Sequence, residues 1–199
     1  MLRRAFDLVV AAVGLVLAAP FLLAAIVAIP LESRGSPFYR QRRVGRYGHE
    51  FEVIKLRTMV SGAENIGAGL AVSEDDERIT RIGALLRRSS LDEMPNLVNV
   101  LRGEMSVIGP RPTVPAQVAR YTPRQRGRLA ARPGITGWAQ VNGRTGLDWD
   151  RRIDLDLWYI ENRSPRLDAE ILRRTAAIVL GGEGLYRDGT PAWRDPDEP

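Results

Sequence analysis

The feature that most constrains this chain is an uncharged run near its N-terminus, which extends over 24 residues from Leu8 to Leu31. A helix rises about 1.5 Å per residue, so the run is long enough to cross the apolar core of a bilayer. It is longer than the apolar region of a cleavable signal peptide, which has roughly 7–15 residues. The run therefore predicts a lasting membrane segment, and a plain kinked span or a buried core helix would fit the same composition.

Proline and arginine positions in and around this run indicate how it sits in the membrane. Pro20 lies near its middle, where a proline removes a helix hydrogen bond and bends the axis. Two arginines precede the run and five follow it: Arg3, Arg4, Arg34, Arg40, Arg42, Arg43 and Arg46. Positive residues favour the cytoplasmic side of a membrane, and only a bent segment puts both flanks there. We therefore predict a re-entrant helix-break-helix over residues 1–32.

The charge composition narrows the possible ligands and the possible chemistry. The chain carries 29 Lys and Arg against 24 Asp and Glu, a net charge of +5, and Lys55 is its only lysine. Arginine forks bind phosphate well, so the excess suits nucleic acid, anionic lipid or a phosphorylated substrate. The chain has no cysteine, which excludes thiol chemistry. Its single histidine, His49, argues against a zinc site or a histidine-based triad. Enzyme chemistry must therefore come from carboxylates, hydroxyls, Lys or Arg, with a hard metal ion if a metal is used.

Two adjacent carboxylates, Asp92 and Glu93, are the most distinctive candidates for chemistry. The sequence predicts a helix from Leu91 to Gly103, since a proline in the first turn and a final glycine are typical of helix ends. Free backbone N–H groups in the first turn favour the ionised form of both side chains near neutral pH. Such carboxylates serve as nucleophiles, bases or metal ligands. The alternative is structural, because Ser90 and Glu93 match a capping box in which Glu93 only satisfies backbone donors.

Basic residues elsewhere are spaced to contact an anion. A predicted strand over residues 51–59 puts Lys55 and Arg57 on one face, although a solvated edge strand has the same pattern. Arg111 stands between two prolines, which fix the backbone and reduce the entropy lost when a ligand is clamped. The short amphipathic helix predicted over residues 79–88 ends in two arginines beside the acidic pair. All three segments suit phosphate.

The remaining segments predict an α/β fold that is mostly α with a small sheet. A second strand is predicted over residues 105–108, and helices over 116–131 with an interruption at Pro123, over 148–162 and over 168–180. The glycine-rich stretch around Gly134 and Gly137 is interpreted as an ordered loop that allows close approach of a ligand. Trp149, Trp158 and Tyr159 suit either a membrane interface or the core. We predict a catalytic domain over residues 33–181 with amphipathic surface helices, and a poorly ordered tail over 182–199.

Seven short motifs follow one another between Arg4 and Asn162. They are Arg4-x-Phe6-Asp7 with the apolar run, Lys55 to Met59, Leu91 to Leu97, Asn99 to Ser106, Gly109 to Pro112, Arg132 to Val141, and Asp156-x-x-Tyr159-Ile160-x-Asn162. In this order they resemble one family, the bacterial sugar transferases, which are monotopic polyprenyl-phosphate phosphoglycosyl transferases. The chain departs from the family at Ala19, where a Ser often precedes the proline of the membrane segment.

The resemblance implies an enzyme and assigns roles to individual residues. It implies that Asp92 and Glu93 form a catalytic dyad that also holds Mg²⁺. Asp92 is expected to attack the β-phosphate of a nucleoside diphosphate sugar, usually UDP-linked, and to release UMP. Polyprenyl (undecaprenyl) phosphate then takes the phosphosugar from Asp92 in a ping-pong reaction that starts a glycan. The expected phosphate contacts are five basic residues: Lys55, Arg57, Arg88, Arg111 and Arg132.

The resemblance also implies a minimal member of the family on the cytoplasmic face of the bacterial inner membrane. Its expected partners are a UDP-sugar, polyprenyl phosphate and membrane lipid, and not nucleic acid. Two other functions remain open from the residues alone. One is a non-enzymatic, membrane-anchored binder of anionic lipid or polymer that uses the arginine surface. The other is a nucleic-acid-binding protein, which the sequence pI of about 10.2 suggests but the apolar run argues against.

Overall fold

A computed structural model of this chain describes residues 2–66, 76–143 and 147–181, so the predicted tail lies outside the described residues. The helices in these ranges are α1 (Leu2–Glu32), α2 (Arg81–Arg88), α3 (Leu97–Arg102), α4 (Pro115–Ala119), α5 (Pro123–Arg126), α6 (Trp138–Val141), α7 (Trp149–Asn162) and α8 (Pro165–Gly181). The strands are β1 (Phe38–Val44), β2 (Glu50–Leu56), β3 (Ser106–Ile108) and β4 (Gly134–Thr136), and short 3-10 helices occupy Arg46–Gly48, Ala63–Asn65, Leu91–Asn96 and Gly127–Ala130. The prediction of a mostly helical fold with little sheet is confirmed.

The strands form two small sheets. β1 and β2 pair as an antiparallel hairpin, whereas β3 and β4 pair in parallel. The sequence predicted β2 and β3 but interpreted the residues of β4 as a ligand-binding loop. A Cβ added at Gly134 would lie 2.1 Å from the backbone N of Gly109, and one added at Gly137 would lie 2.1 Å from the carbonyl O of Gly109. These two glycines therefore allow close approach between two segments of the protein's own backbone.

The long helix α1 packs against the domain along one narrow stripe. Its buried residues recur at intervals of four and seven, which is the spacing of one helix face: Asp7, Ala11, Ala18, Ala25 and Ile29. The other faces expose large apolar side chains, including Val9, Val16, Leu17, Phe21, Leu23, Val27 and Leu31. Among the described helices, α1 is the one that is long and apolar enough to cross a membrane, and only 17% of its most apolar window is buried. Most of the apolar surface of α1 is therefore not covered by the described part of the protein.

The break predicted at Pro20 is absent, because α1 remains helical through both Pro20 and Pro30. A proline removes one backbone hydrogen bond, but the turns on either side keep theirs. The buried stripe continues across the proline, from Ala18 to Ala25, and packing on the domain holds both halves of the helix in place. The membrane segment is thus a single helix rather than two.

Both ends of α1 are fastened to the same domain. Near its N-terminus, the buried Asp7 carboxylate accepts hydrogen bonds from Ser106 Oγ and from the Val107 backbone N–H, both at 2.9 Å. At its C-terminus, the Glu32 carboxylate accepts the first two backbone N–H groups of α2 at 2.8 and 2.9 Å. A helix of 31 residues is about 46 Å long. The helix therefore lies along the domain instead of projecting from it.

The core connects the elements that carry the candidate site. The largest cluster packs β2, α3, β3, α7 and α8 together beneath α1, with Val53, Val100, Met105, Tyr159 and Ile171 at its centre. The predictions that residues 148–162 and 168–180 are helical are confirmed by α7 and α8. In the amphipathic helix predicted over residues 79–88, Leu86 is buried as that pattern requires, but its neighbour Leu85 is 66% exposed. Trp158 is partly exposed, whereas Tyr159 is buried in the core.

Candidate active site

The acidic pair lies on a 3-10 helix, Leu91–Asn96, which continues directly into α3. The predicted α-helix from Leu91 to Gly103 is therefore correct in extent but not in its first turns. Ser90 enters the 3-10 helix with a φ of 56°, and its side chain makes no capping hydrogen bond. The capping-box alternative is wrong, because the Glu93 carboxylate contacts two cationic side chains rather than backbone donors.

Glu93 is held between Lys55 and Arg111. Lys55 Nζ donates to Glu93 Oε1 at 2.6 Å, and Arg111 Nη2 donates to the same oxygen at 2.7 Å. Burial alone would raise the pKa of Glu93, but the charges of Arg111 and Lys55 outweigh it and lower the pKa well below its usual range. Glu93 therefore stays ionised at every physiological pH, as predicted.

Asp92 has a different environment from its neighbour. No hydrogen bond to its carboxylate is found among the described residues, although the side chain is only partly exposed. Burial, and then the negative charge of Glu93, raise the pKa of Asp92 to about 6, against the attraction of Lys55, Arg87 and Arg111. Two adjacent carboxylates thus have pKa values pushed in opposite directions, a pattern typical of groups with distinct chemical roles.

Two asparagines fix the 3-10 helix and α3 against the β-hairpin. The buried Asn96 accepts a hydrogen bond at its Oδ1 from the Ile54 backbone N–H at 3.1 Å. The buried Asn99 donates from Nδ2 to the Glu52 carbonyl at 2.7 Å. These amides occupy the edge of β2 that faces away from β1, so Lys55 on β2 is set opposite Glu93. Sequence reasoning missed both, since an asparagine in a helix gives no local sign of a distant partner.

Arg111 is positioned by a buried ion pair behind it. Arg128 Nη2 donates to the Arg111 carbonyl at 2.8 Å, while its Nε donates to the Asp156 carboxylate at 2.7 Å. Arg128 and Asp156 are almost completely buried, with side-chain exposures of 2% and 1%. A buried charge pair has a well-defined geometry, because separating it would leave two uncompensated charges. The loop that carries Arg111 therefore has a fixed backbone from both its prolines and this contact.

A shallow, open cleft lies beside the acidic pair. Its walls come from both sheets and from the loop after β3: Arg43, Val53, Lys55, Glu93, Asn96, Met105, Arg111, Pro112, Gly134 and Ile135. Three of these residues are cationic and one is anionic, so the described cleft is positively charged. Arg43 is a wall residue that sequence reasoning missed. The alternation of partly buried residues along β1 would have placed it on the inner face of the hairpin.

Arg57 lies elsewhere. The strand ends at Leu56, and the Arg57 guanidinium instead donates to the Ser36 carbonyl at 2.7 Å and to Ser33 Oγ at 2.7 Å, just after α1. The predicted common face of Lys55 and Arg57 is therefore wrong, since the alternation stops where the strand stops. With its guanidinium surrounded by carbonyl groups, Arg57 orders the segment that follows α1.

The other two predicted phosphate contacts stand outside the cleft. Arg88 is exposed at the end of α2, and Arg132 is partly buried just before β4. Neither belongs to the walls of the cleft. Arg87 is the arginine of that helix whose charge acts on Asp92, and its Nε donates to Thr58 Oγ1 at 2.8 Å. The structure thus brings together Lys55, Glu93 and Arg111, with Asp92 beside them.

The carboxylate pair has the donor set of a partial Mg²⁺ site. The described residues contain no group of three or more His, Asp or Glu that could hold a metal ion. Mg²⁺ is commonly bound through one or two protein carboxylates together with substrate phosphates, so a full cage is not required. Both contacts to Glu93 use Oε1, and hydrogen bonds to its Oε2 or to Asp92 are absent from the described part of the chain. The pair therefore retains oxygens that fit such an ion.

A cation-lined cleft with two differentiated carboxylates, next to a long exposed apolar helix, is typical of an enzyme that handles phosphorylated substrates at a membrane. Comparison with known proteins agrees with this class. The family model for "Bacterial sugar transferase" matches residues 1–182. The chain therefore belongs to the bacterial sugar transferase family and is an enzyme of the phosphoglycosyl transferase class.

Individual relatives are similar over nearly the whole chain. It is 40% identical to the uncharacterized sugar transferase EpsL of Bacillus subtilis, over 94% of this chain and 91% of that protein. It is 42% identical to the UDP-glucose:undecaprenyl-phosphate glucose-1-phosphate transferase of Caulobacter vibrioides, over 92% of this chain and 72% of that protein. It is 36% identical to the undecaprenyl-phosphate galactose phosphotransferase of Salmonella typhimurium, over 93% of this chain but only 42% of that protein.

Proposed function

We propose that this enzyme transfers a sugar-1-phosphate from a UDP-linked sugar to undecaprenyl phosphate, through a covalent intermediate on Asp92. Two relatives are named for transfer of this kind to undecaprenyl phosphate, which supports the substrate classes. The observation that carries the assignment of roles is the contrast within the acidic pair. Glu93 shares one oxygen between Lys55 and Arg111, whereas Asp92 keeps a partly desolvated carboxylate that no described residue hydrogen-bonds.

The two half-reactions follow from that contrast. An Asp92 oxygen attacks the β-phosphorus of the UDP-sugar, the bond from that phosphorus to the bridging oxygen breaks, and UMP leaves with both bonding electrons. A phosphate oxygen of the lipid then attacks the same phosphorus, and the bond to Asp92 breaks to restore the carboxylate. An environment that raises the pKa of a carboxylate also makes it a better nucleophile, as long as it stays ionised at the working pH.

The basic residues of the cleft supply charge neutralisation. Phosphoryl transfer depends on positioning and on stabilising charge more than on proton transfer. Lys55 and Arg111 keep donors beyond those that Glu93 uses, because an ammonium has three and a guanidinium five. Asp92 and Glu93 would hold Mg²⁺, which would supply further neutralisation of the negative charge on the phosphates. Glu93 thereby acts to hold both the cations and the metal in position.

The helix α1 is proposed to enter the membrane from the cytoplasmic side without crossing it, and residues 33–181 to form the catalytic domain at that surface. Asp7 and Glu32, at its two ends, contact the same domain. A perpendicular span would draw that charged domain into the bilayer, where ionised side chains are costly. A helix that lies in one leaflet keeps its exposed apolar faces in lipid and brings the cleft to the level of a lipid phosphate.

The test is UMP release by the full-length protein with a panel of UDP-sugars, in the presence of Mg²⁺. The wild-type protein should release UMP and gain the mass of a phosphosugar when the donor is supplied alone. Asp92→Asn should abolish both signals, because an amide is not a nucleophile for phosphorus. Asp154→Asn is the matched control, since this carboxylate is exposed and pairs with Arg124 far along the chain from the acidic pair. A phosphosugar found on another side chain would contradict the assignment.

A further inference from the structure

Arg43 is a cation of the cleft with a buried donor that no described residue accepts. It lies on β1, and its Nη1 donates to the Pro112 carbonyl at 3.0 Å, while its Nη2 donates to the Gln41 side chain. Its Nε is buried and has no hydrogen-bond partner within residues 2–66, 76–143 and 147–181. A guanidinium has five N–H donors, so an oriented fork with several unused donors faces a positively charged cleft.

The charges around Arg43 also lack a balancing anion. Glu93 is the single carboxylate in the wall of the described cleft, and it already contacts Lys55 and Arg111. Burial, and then the positive charge of Arg111, lower the pKa of Arg43 to about 10, so the group is still protonated at neutral pH. Two guanidinium groups close to each other repel, and an anion bound between them would relieve that repulsion.

We propose that Arg43, together with Arg111, binds the diphosphate group of the nucleotide donor. This inference rests on the proposed function, because it names a recognition residue of the same cleft. Pro112 and Gln41 hold the guanidinium in place before the ligand arrives, so little side-chain entropy remains to be lost on binding. The donor's two phosphates carry about two negative charges, which match the cationic excess of the described cleft.

The experiment measures binding of UDP, UMP and uridine to full-length protein in detergent by titration calorimetry, with the acceptor lipid absent. Arg43→Met should weaken UDP binding by about 10-fold or more, because a charge-assisted contact to phosphate is lost. Uridine binding should stay within about twofold of wild type, since uridine has no phosphate for Arg43 to contact. Arg43→Lys keeps the positive charge but lacks the guanidinium group. Its UDP affinity should therefore lie between that of the wild type and that of Arg43→Met.

Arg42→Met is the matched control. Arg42 is the next residue on β1 and carries the same charge, but its side chain is 76% exposed and pairs with Glu50 on the outer face. This variant should leave the ratio of UDP to uridine affinity unchanged. A ratio that falls equally in both variants would mean that general electrostatic attraction, rather than contact, accounts for the binding.

The outcomes separate the two proposals. Absence of UDP binding in wild type would overturn the proposed function itself. Wild-type binding with an unchanged ratio in Arg43→Met would overturn only the role of Arg43, and loss of uridine binding in both Arg43 variants would indicate a structural role. A fourth result concerns the acceptor: normal formation of the covalent adduct in Arg43→Met, with slow discharge by polyprenyl phosphate, would mean that Arg43 binds the lipid phosphate and would also overturn the proposal.

Discussion

At the scale of single residues, the acidic pair illustrates how neighbours in sequence acquire different chemistry. Asp92 and Glu93 are adjacent on one 3-10 helix, yet only the Glu93 carboxylate accepts hydrogen bonds from described residues. Glu93 meets Lys55 and Arg111, which stabilise its charge, whereas Asp92 is partly buried next to a charged neighbour. Ionised Asp92 therefore costs folding free energy, and ionised Glu93 contributes it.

This contrast predicts opposite effects of two isosteric substitutions on thermal stability. At pH 7.5 without added metal, Asp92→Asn should raise the melting temperature by about 5 °C, which corresponds to about 2 kcal/mol. Glu93→Gln should lower it by a similar amount, because Lys55 and Arg111 lose their shared anion. Differential scanning fluorimetry of the detergent-solubilised proteins measures both. Equal effects of the same sign would contradict the assignment of the two environments.

The increase in melting temperature caused by Asp92→Asn should depend on pH. The folded-state pKa of Asp92 is raised to about 6 from an unfolded value near 3.8, so the folded state binds the proton more tightly. The stabilising difference between variant and wild type is therefore full above pH 6 and disappears as the pH falls toward 4. A scan of melting temperature from pH 8 to pH 4.5 for both proteins tests the sign, and a difference that grows on acidification would refute it.

At the scale of secondary structure elements, α2 contacts the chain after β2 through a glycine. A Cβ added at Gly83 would lie 1.9 Å from the Thr58 carbonyl oxygen, well inside van der Waals contact. The same Thr58 carbonyl accepts a hydrogen bond from the Thr80 N–H at 3.1 Å, immediately before the first turn of α2. The helix leads directly to the acidic pair, so its distance from Thr58 affects the position of Asp92.

Gly83→Ala is predicted to destabilise the protein although alanine is the better helix former. Helix propensity alone would favour the change by about 1 kcal/mol, but the clash must displace α2 or Thr58. We expect a melting temperature lower by several degrees and reduced UMP release. Ala84→Gly, at the exposed neighbouring position, is the matched control and should show only the loss of propensity, about 1 kcal/mol. A stabilised Gly83→Ala variant would contradict the packing.

At the scale of the whole molecule, the proposed position of α1 in one leaflet predicts that both of its ends lie on the cytoplasmic side. The chain contains no cysteine, so a cysteine introduced at one position is the single thiol available for labelling. Cysteines at Leu2 and Arg34, which are exposed near the two ends of α1, should both react with an impermeant maleimide in inverted vesicles and neither in spheroplasts. A cysteine at Phe21, which is exposed in mid-helix, should be protected in both by lipid. Labelling of Leu2 and Arg34 from opposite sides would demonstrate a span.

The sequence determined those features that depend on neighbouring residues. The apolar run predicted α1, the helical periodicity predicted α7 and α8, and the sequence placed the adjacent carboxylates and the proline-flanked Arg111 in one candidate site, where the structure also brings them together. Only the tertiary structure decided which cations meet Glu93, that Arg43 replaces Arg57 in the cleft, and that α1 lies along the domain without a break. Strand ends, helix packing and the distance between charges depend on partners far apart in the chain, and a local pattern carries no information about them.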